Sequence, residues 1–234
     1  MIDIHCHILP AIDDGPADLD TAVAMARLAA ADGITTIVAT PHVNIQVYDQ
    51  AGIGDRLALL TEALRREGIA LELLAGGDAS AMLPPEVLRP FTLNQSRYLL
   101  VEFPHAYLPG NAREILFDFL AHGYWPIITH PERNVSVMSD PGLLLDLLAD
   151  GVYVQLTAGS LTGDFGPGAE ACAHYLLRRD AAHFLATDAH SPTRRPPVLS
   201  GGLAVAVEII GRDRAVALVN QNPAAVLAGL PLDA

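Results

Sequence analysis

Cysteine is scarce in this chain of 234 residues, where Cys6 and Cys172 are the only two. They stand far apart, and two thiols in a chain without an export signal are expected to be reduced, which argues against a secreted disulfide scaffold. Basic residues are also few, 14 against 27 acidic ones, for a formal charge of −13. Phosphate backbones and anionic lipids are held by clustered Lys and Arg, so no nucleic-acid partner is expected. Long hydrophobic runs are missing too, although 51% of the residues are hydrophobic. The longest are broken by charge well short of the roughly 18 residues a membrane span needs. Strand-like sequence begins at once over Met1–His5, so the expectation is a cytoplasmic protein with no membrane insertion. No Ser/Gly/Pro-rich tract, charge run or repeat of about 20–50 residues interrupts the chain. One domain covering residues 1–234 is therefore expected.

Short runs rich in Ile, Val and Leu alternate with segments of helical period. Ile2–His5, Ile34–Thr40, Ile69–Ala75, Leu99–Phe103, Pro126–Thr129, Val152–Thr157 and His183–Thr187 read as buried strands. Asp18 is placed to cap a helix over Leu19–Asp32, Asn111 one over Ala112–His122, and Asp140 with Pro141 one running to Gly151. Gly33, Gly68, Gly123 and Gly151 each stop a helix just before a new strand. Strands separated by helices imply parallel right-handed crossovers, hence either an open doubly wound sheet or a barrel.

The polar residues at the strand ends decide between the two. His5 and His7 close the first strand, His42 follows the second, Asp78 the third, Glu102 the fourth, His130 the fifth, and Asp188 with His190 the seventh. A closed barrel brings all these ends to one mouth, whereas an open sheet gathers only those near its switch point. An α/β fold of the distorted, seven-stranded (β/α)7 barrel type is expected. In His5-Cys6-His7 the two imidazoles share one side of the strand, and Cys6 faces the core.

Each of these residues alone would pass for a cap or loop residue, but so many strand ends together point to metal. Imidazole and carboxylate donors without a thiolate suit Mn, Fe or Zn in a reactive site rather than a structural zinc site. Asp14, in the turn Asp13-Asp14-Gly15-Pro16, is the ninth candidate, with Asp13 and Asp18 assigned to turn and cap roles. Nine donors exceed the needs of one ion and suit two or three divalent ions, which would activate water and clamp a phosphoryl or acyl oxygen. Set against the charges of Asp14, Asp78, Glu102 and Asp188 and a bridging hydroxide, three dications leave the mouth at about +1, fit for an anionic substrate. Arg133 and Arg195 adjoin this set, and guanidinium forks bind phosphate through two bonds at once. Arg194 reads as a surface residue.

The motifs His5-Cys6-His7, Asp13-Asp14-Gly15-Pro16, Ala39-Thr40-Pro41-His42, Val101-Glu102-Phe103, Thr129-His130-Pro131-Glu132-Arg133 and Thr187-Asp188-Ala189-His190, with Arg194-Arg195-Pro196-Pro197 after them, resemble the polymerase and histidinol phosphatase (PHP) superfamily. Within it the chain is similar, from Met1 to about Pro197, to the manganese-dependent bacterial protein-tyrosine phosphatases of capsular and exopolysaccharide clusters. The resemblance implies a distorted PHP-type (β/α)7 barrel, a trinuclear metal site with manganese first and iron or zinc as alternatives, and hydrolysis of phosphotyrosine on a cytoplasmic tyrosine kinase that controls polysaccharide assembly. It implies the same nine ligands and two arginines. One position departs from the pattern: Asp78 stands where the family has Glu, which predicts a more weakly held third ion.

Rival readings are few. Cys172 and Arg178 have the Cys-x5-Arg spacing of thiol phosphatases, but the residues between them are bulky, at helical spacing and without glycine, so no phosphate-cradling loop is expected. An amidohydrolase barrel would take a histidine from the sixth strand, and Val152–Thr157 has none. A non-catalytic module would be expected to have lost ligands. Within the superfamily, a small phosphomonoester such as histidinol phosphate is the competing substrate. His105, His122, His174 and His183 read as surface or core residues, with His105 near enough to the mouth to touch substrate.

Overall fold

The structure is a computed structural model and describes residues 1–44, 50–148 and 151–232. Its strands are β1 (Ile2–Cys6), β2 (Thr36–Ala39), β3 (His42–Val43), β4 (Glu72–Ala75), β5 (Asp78–Ser80), β6 (Tyr98–Glu102), β7 (Trp125–Thr129), β8 (Tyr153–Thr157) and β9 (Phe184–Ala186). Helices α1 (Leu19–Ala31), α2 (Gln50–Glu67), α3 (Ala112–Ala121), α4 (Val135–Ser139), α5 (Gly142–Leu145), α6 (Ala158–Leu161), α7 (Pro167–Arg178), α8 (Ser200–Ile210), α9 (Arg212–Ala217) and α10 (Gln221–Ala228) lie between and after them. Among the described residues no helix is long and apolar enough to cross a membrane.

Every strand pair is parallel, and the strands form two sheets, β1-β2-β4 and β3-β5-β6-β7-β8-β9. The expected single closed barrel is thus met only as a parallel α/β fold, and the reason lies in the second and third strands. Each is broken in two, at Thr40-Pro41 and at Gly76-Gly77, because Pro41 has no N–H to give to a ladder. Isolated bonds bridge the break: Gly76 N donates to Ala39 O at 3.0 Å and Asp78 N to Pro41 O at 3.0 Å. Between β1 and the end of β9 there is an isolated bridge, Cys6 with Ala189, flanked by Asp188 N to His5 O at 2.8 Å and His7 N to Ala189 O at 2.9 Å.

Alternation along the strands builds two cores. Ile4, Val38, Tyr98, Leu100, Ile127 and Phe184 pack together on the inner faces, while Leu99, Val101, Ile128, Val154, Leu156 and Leu185 pack outward against the helices. The inner row of β6 runs Tyr98, Leu100, Glu102, and that of β8 runs Tyr153, Gln155, Thr157, so apolar contacts give way to polar groups toward the strand tips. In β1 the register slips between Asp3 and Cys6, where one extra residue opposes β2. Such a bulge re-aims the side chains after it. Ile4 packs in the inner core, Cys6 in the outer one, and His5 with His7 faces the strand tips.

The helix boundaries follow local chemistry. Asp18 caps α1, its Oδ1 accepting from Thr21 N at 2.8 Å, and Gly33, Gly68, Gly123 and Gly151 all take the left-handed backbone expected of helix stops, with φ of 65° to 89°. Asn111 occupies the start of α3 without a side-chain cap, and Pro109 O accepts from Ala112 N there instead. The helix expected from Pro141 to Gly151 shortens to Gly142–Leu145. Ala149 and Asp150 lie outside the described residues.

Gly77 marks a tight passage just before Asp78. A Cβ there would fall 2.7 Å from Val43 Cγ2 and 3.0 Å from Phe91 Cβ, too close for either short, packed side chain to yield. Gly77→Ala is expected to cost about 1–3 kcal/mol, read as a lower urea midpoint at unchanged m-value. A wild-type midpoint would show that the break between β4 and β5 has room to spare.

Candidate metal centre

The nine residues picked out by their strand-end positions come together. Five sit outside the strands: His7 and Asp14 after β1, His130 after β7, and Asp188 and His190 after β9, with His130 and Asp188 at φ of 35° and 48°. Left-handed backbone is uncommon outside glycine and costs on the order of 1 kcal/mol or more, a strain typical of functional sites. Donor atoms lie within 4.8 Å of one another in the groups His7, Asp14, His42, His190; His5, Asp78, His130; His5, His7, Asp188; and His42, Asp78, Glu102. A further group joins Glu102 and His130 to His105, whose ring stacks on that of His130 at 5.1 Å between centroids. His105 thus belongs at the rim of the cluster, more intimately than its sequence position suggested. Asp14, His42, Glu102, His130, Asp188 and His190 line an open cleft of about 290 Å³ together with Asn44, His105, Arg133 and Arg195.

Two side chains outside the nine candidates, Asp13 expected only in a turn role and Gln155 not singled out, fix how the histidines point. Asp13 Oδ2 accepts from His7 Nδ1 at 2.7 Å and from His42 N at 3.1 Å, and its Oδ1 accepts from Gly15 N at 3.0 Å. Although burial opposes ionisation, the bond from His7 holds the Asp13 carboxyl down at about 2. Gln155 Oε1 lies 2.9 Å from His5 Nδ1. With Nδ1 engaged, each ring offers Nε2 to the site, the arrangement that outer partners impose on metal-binding histidines. The two Nε2 atoms lie 3.2 Å apart, each 3.5 Å from Asp188 Oδ1. Two neighbouring aspartates look alike in a sequence, and a glutamine inside a strand carries no signature. Only the fold brings Asp13, beyond its turn role, to His7 and His42, and Gln155 across to His5.

Electrostatics favour a cation here. Both oxygens of buried Asp78 lack a hydrogen-bond partner, which such groups rarely do. Burial and the nearby Asp78 charge push Glu102 up to about 8. His42 is drawn down by burial, but the Asp78 carboxylate 3.5 Å away outweighs this and raises it to about 9. Burial and the neighbouring His7 lower His190 to about 4, suiting a neutral imidazole donor. A dication would relieve the carboxylate repulsion and take the lone pairs of Asp78, so the donor set fits hard or borderline divalent ions.

Asp188 joins this cluster to the arginines. Arg133 and Arg195 both donate to its Oδ2, and Arg195 also to its backbone oxygen at 2.8 Å. Burial opposes its charge, but Arg133 and the surrounding cations hold Asp188 well below the usual carboxylate range. The Nε of each arginine is buried without a partner. Arg194 is exposed, as its position implied. Glu132, buried and standing between His130 and Arg133 in the sequence motif, instead ties the turn Pro131–Arg133 to α6, accepting from Thr157 N at 3.0 Å and Ser160 Oγ at 2.7 Å. Cys172 lies inside α7 at 3% exposure with its thiol pushed up to about 12 by burial.

Parallel strands whose tips present clustered histidines and carboxylates define an α/β protein with a candidate multinuclear metal site. The chain belongs to the CpsB/CapC family of capsular polysaccharide synthesis, whose model matches residues 1–228. It is 40% identical over 203 residues to tyrosine-protein phosphatase YwqE of Bacillus subtilis (strain 168), covering 83% of this chain and 79% of that protein. It is 35% identical over 207 residues to the putative tyrosine-protein phosphatase CapC of Staphylococcus aureus, covering 85% and 80%. Among crystal structures of YwqE from Bacillus subtilis and CpsB from Streptococcus pneumoniae, described as unique metal-dependent tyrosine phosphatases, one superposes with a TM-score of 0.91 at 35% identity over 100% of both chains. Dihydropyrimidinase from Brevibacillus agri, at a TM-score of 0.57 and 13% identity over 98% of this chain and 71% of that one, shares the fold alone.

Two outcomes follow from this geometry. Purified protein should hold more than one equivalent of divalent metal by elemental analysis, and chelation should lower both activity and Tm, since bound ions stabilise only the folded state. Less than one equivalent with activity untouched by chelator would falsify the ligand assignment. Cys172→Ser should keep most of its turnover, because a thiol held near 12 supplies no thiolate nucleophile at neutral pH. A dead variant that still binds metal would reinstate the thiol mechanism.

Proposed function

We propose that this chain is a metal-dependent protein-tyrosine phosphatase, one domain over residues 1–234, folded as a distorted (β/α)7 barrel whose second and third strands are broken. The observation that carries the reading is the meeting at Asp188 of the histidine-carboxylate cluster and two arginine forks. An amide substrate has no use for a pair of guanidinium groups beside the metal ligands, whereas a phosphate monoester has three oxygens for them. The family membership and the phosphatases it resembles support the same activity. The sixth-strand histidine of an amidohydrolase is replaced here by Gln155, which orients His5.

In this reading His5, His7, Asp14, His42, Asp78, Glu102, His130, Asp188 and His190 hold two or three divalent ions, manganese first and iron or zinc as alternatives. When bound, such ions supply Lewis acidity and activated water. Asp78, one methylene shorter than glutamate, makes the third ion the weakest held. Arg133 and Arg195 grip the phosphoryl oxygens and stabilise the charge that develops on them, and Asp188 keeps both arginines turned toward the cleft. Asp13 and Gln155 preserve ring orientation at His7 and His5. The physiological substrate is a phosphotyrosine protein in the cytoplasm, a bacterial tyrosine kinase that governs polysaccharide synthesis.

The test compares phosphotyrosine peptide, phosphoserine peptide and histidinol phosphate on the manganese-loaded protein. Phosphotyrosine should be turned over with the highest kcat/KM, and a preference for histidinol phosphate would assign the site to small phosphomonoesters. Arg133→Ala and Arg195→Ala should each lose on the order of 10²-fold in kcat/KM with little change in bound metal. Lysine should restore only part, because a point charge lacks the fork. Near wild-type efficiency in both alanine variants would remove the phosphate clamp from the mechanism.

A further inference from the structure

Two guanidinium cations side by side on one carboxylate oxygen pose a physical problem. Arg133 and Arg195 share Asp188 Oδ2, their side chains only 10% and 29% exposed. Asp188 is the carboxylate that both of them bond, Asp14, Glu102 and Glu132 act on them only through space, and partial burial leaves their mutual repulsion little screened. The chain places an aromatic ring against both. The Cζ atoms of Arg133 and Arg195 lie 4.6 Å and 5.6 Å from the ring centre of Phe165, within the roughly 6 Å over which a π face attracts a cation.

Phe165 comes from the turn between α6 and α7, and that turn is built to hold it. Gly163 and Gly166 on either side take left-handed φ of 86° and 88°. Asp164 N donates to Gly159 O at 2.9 Å and Gly166 N to Gly163 O at 2.9 Å, closing the loop. A Cβ on Gly159 would come 3.1 Å from Phe165 Cε2, so the ring rests closely against the first turn of α6 and a side chain there would press on it. The ring also borders a cavity of about 240 Å³ shared with Ala158, Pro196 and Val198. A smaller side chain at this position therefore meets space rather than a packed core.

We propose that Phe165 is a positioning residue of the phosphate clamp, its π face holding the Arg133 and Arg195 guanidinium groups together with their forks turned to the cleft. The inference rests on reading the two arginines as that clamp. Removing the ring leaves the two mutually repelling cations held together by Asp188 alone, and phosphoryl binding weakens while the metal ligands stay in place. What matters is the electron density of the ring and not merely its bulk.

The experiment replaces Phe165 with Leu, with Tyr, and with mono-, di- and trifluorophenylalanine in the full-length, metal-loaded protein. It measures the inhibition constant of inorganic phosphate, KM and kcat for a phosphotyrosine peptide, and bound metal. Phe165→Leu should weaken phosphate binding about tenfold, with KM rising more than kcat falls, and Phe165→Tyr should stay near wild type. Across the fluorinated series, nearly constant in size, phosphate binding should weaken step by step as the π face loses density, at unchanged metal content. A flat fluorine series overturns the proposal, whatever the leucine variant does, because the ring then acts only as packing. Should Phe165→Leu not fold, the fluorinated variants decide alone. If phosphate inhibits Arg133→Ala and Arg195→Ala as strongly as wild type, the clamp itself fails; if those lose phosphate and the fluorinated series does not, only the role of Phe165 fails.

Discussion

The buried Asp188 carboxylate is the contact on which the rest of this site depends. It is 1% exposed, with Arg133 and Arg195 on one oxygen and the Nε2 atoms of His5 and His7 facing the other. In such surroundings an unpaired charge is costly and a well-paired one strongly oriented, so Asp188 locks four groups from three chain segments into one arrangement. Its backbone takes part as well, since Asp188 N bonds to His5 O at the seam between β1 and the end of β9. Asp3 reinforces that seam from below, with Thr187 N donating to its Oδ1 at 3.1 Å and the Thr187 hydroxyl to its Oδ2. The place where strand pairing is weakest is thus held by carboxylates.

Function and stability divide along the strand axis. The lower inner rows, with Tyr98, Leu100, Ile127 and Phe184, are apolar and buried, and supply the cohesion that burial of such side chains provides. One or two residues further along the same faces, Glu102, Gln155 and Asp188 displace apolar contacts, and the backbone at His130 and Asp188 enters the left-handed region. Crowded carboxylates and strained backbone weaken a fold, and they persist because the apolar rows beneath over-determine the strand positions. A divalent ion among the donors would turn that repulsion into attraction and so would couple folding of the strand tips to metal binding.

Thiol chemistry and metal chemistry leave distinct marks in this chain. Cys172 has a phosphatase-like spacing to Arg178 but lies inside a continuous helix, its thiol kept protonated by burial. The cleft carries imidazoles, carboxylates and guanidinium groups and no sulfur. Cys6, between two donor histidines, is turned into the outer core by the bulge in β1.

The strand-helix alternation, the glycine stops at Gly33, Gly68 and Gly123, the cap at Asp18 and the convergence of the nine candidate donors were legible in the sequence, because each depends on local chemistry or on the period of a strand. Arg133 and Arg195 were legible as neighbours of those donors. Other features were decided only in three dimensions. Breaks at Thr40-Pro41 and Gly76-Gly77 split the sheet, since whether a proline or a pair of glycines ends a ladder depends on what the neighbouring strand offers. Asp13 and Gln155 became partners of His7 and His5 through packing between strands distant in sequence. Phe165 met the arginines through the turn after α6, and nothing in a lone phenylalanine announces which cations it will face. Donor chemistry is a property of single residues and survives in a one-dimensional reading, whereas orientation belongs to pairs of residues that only the folded chain brings within a few ångströms.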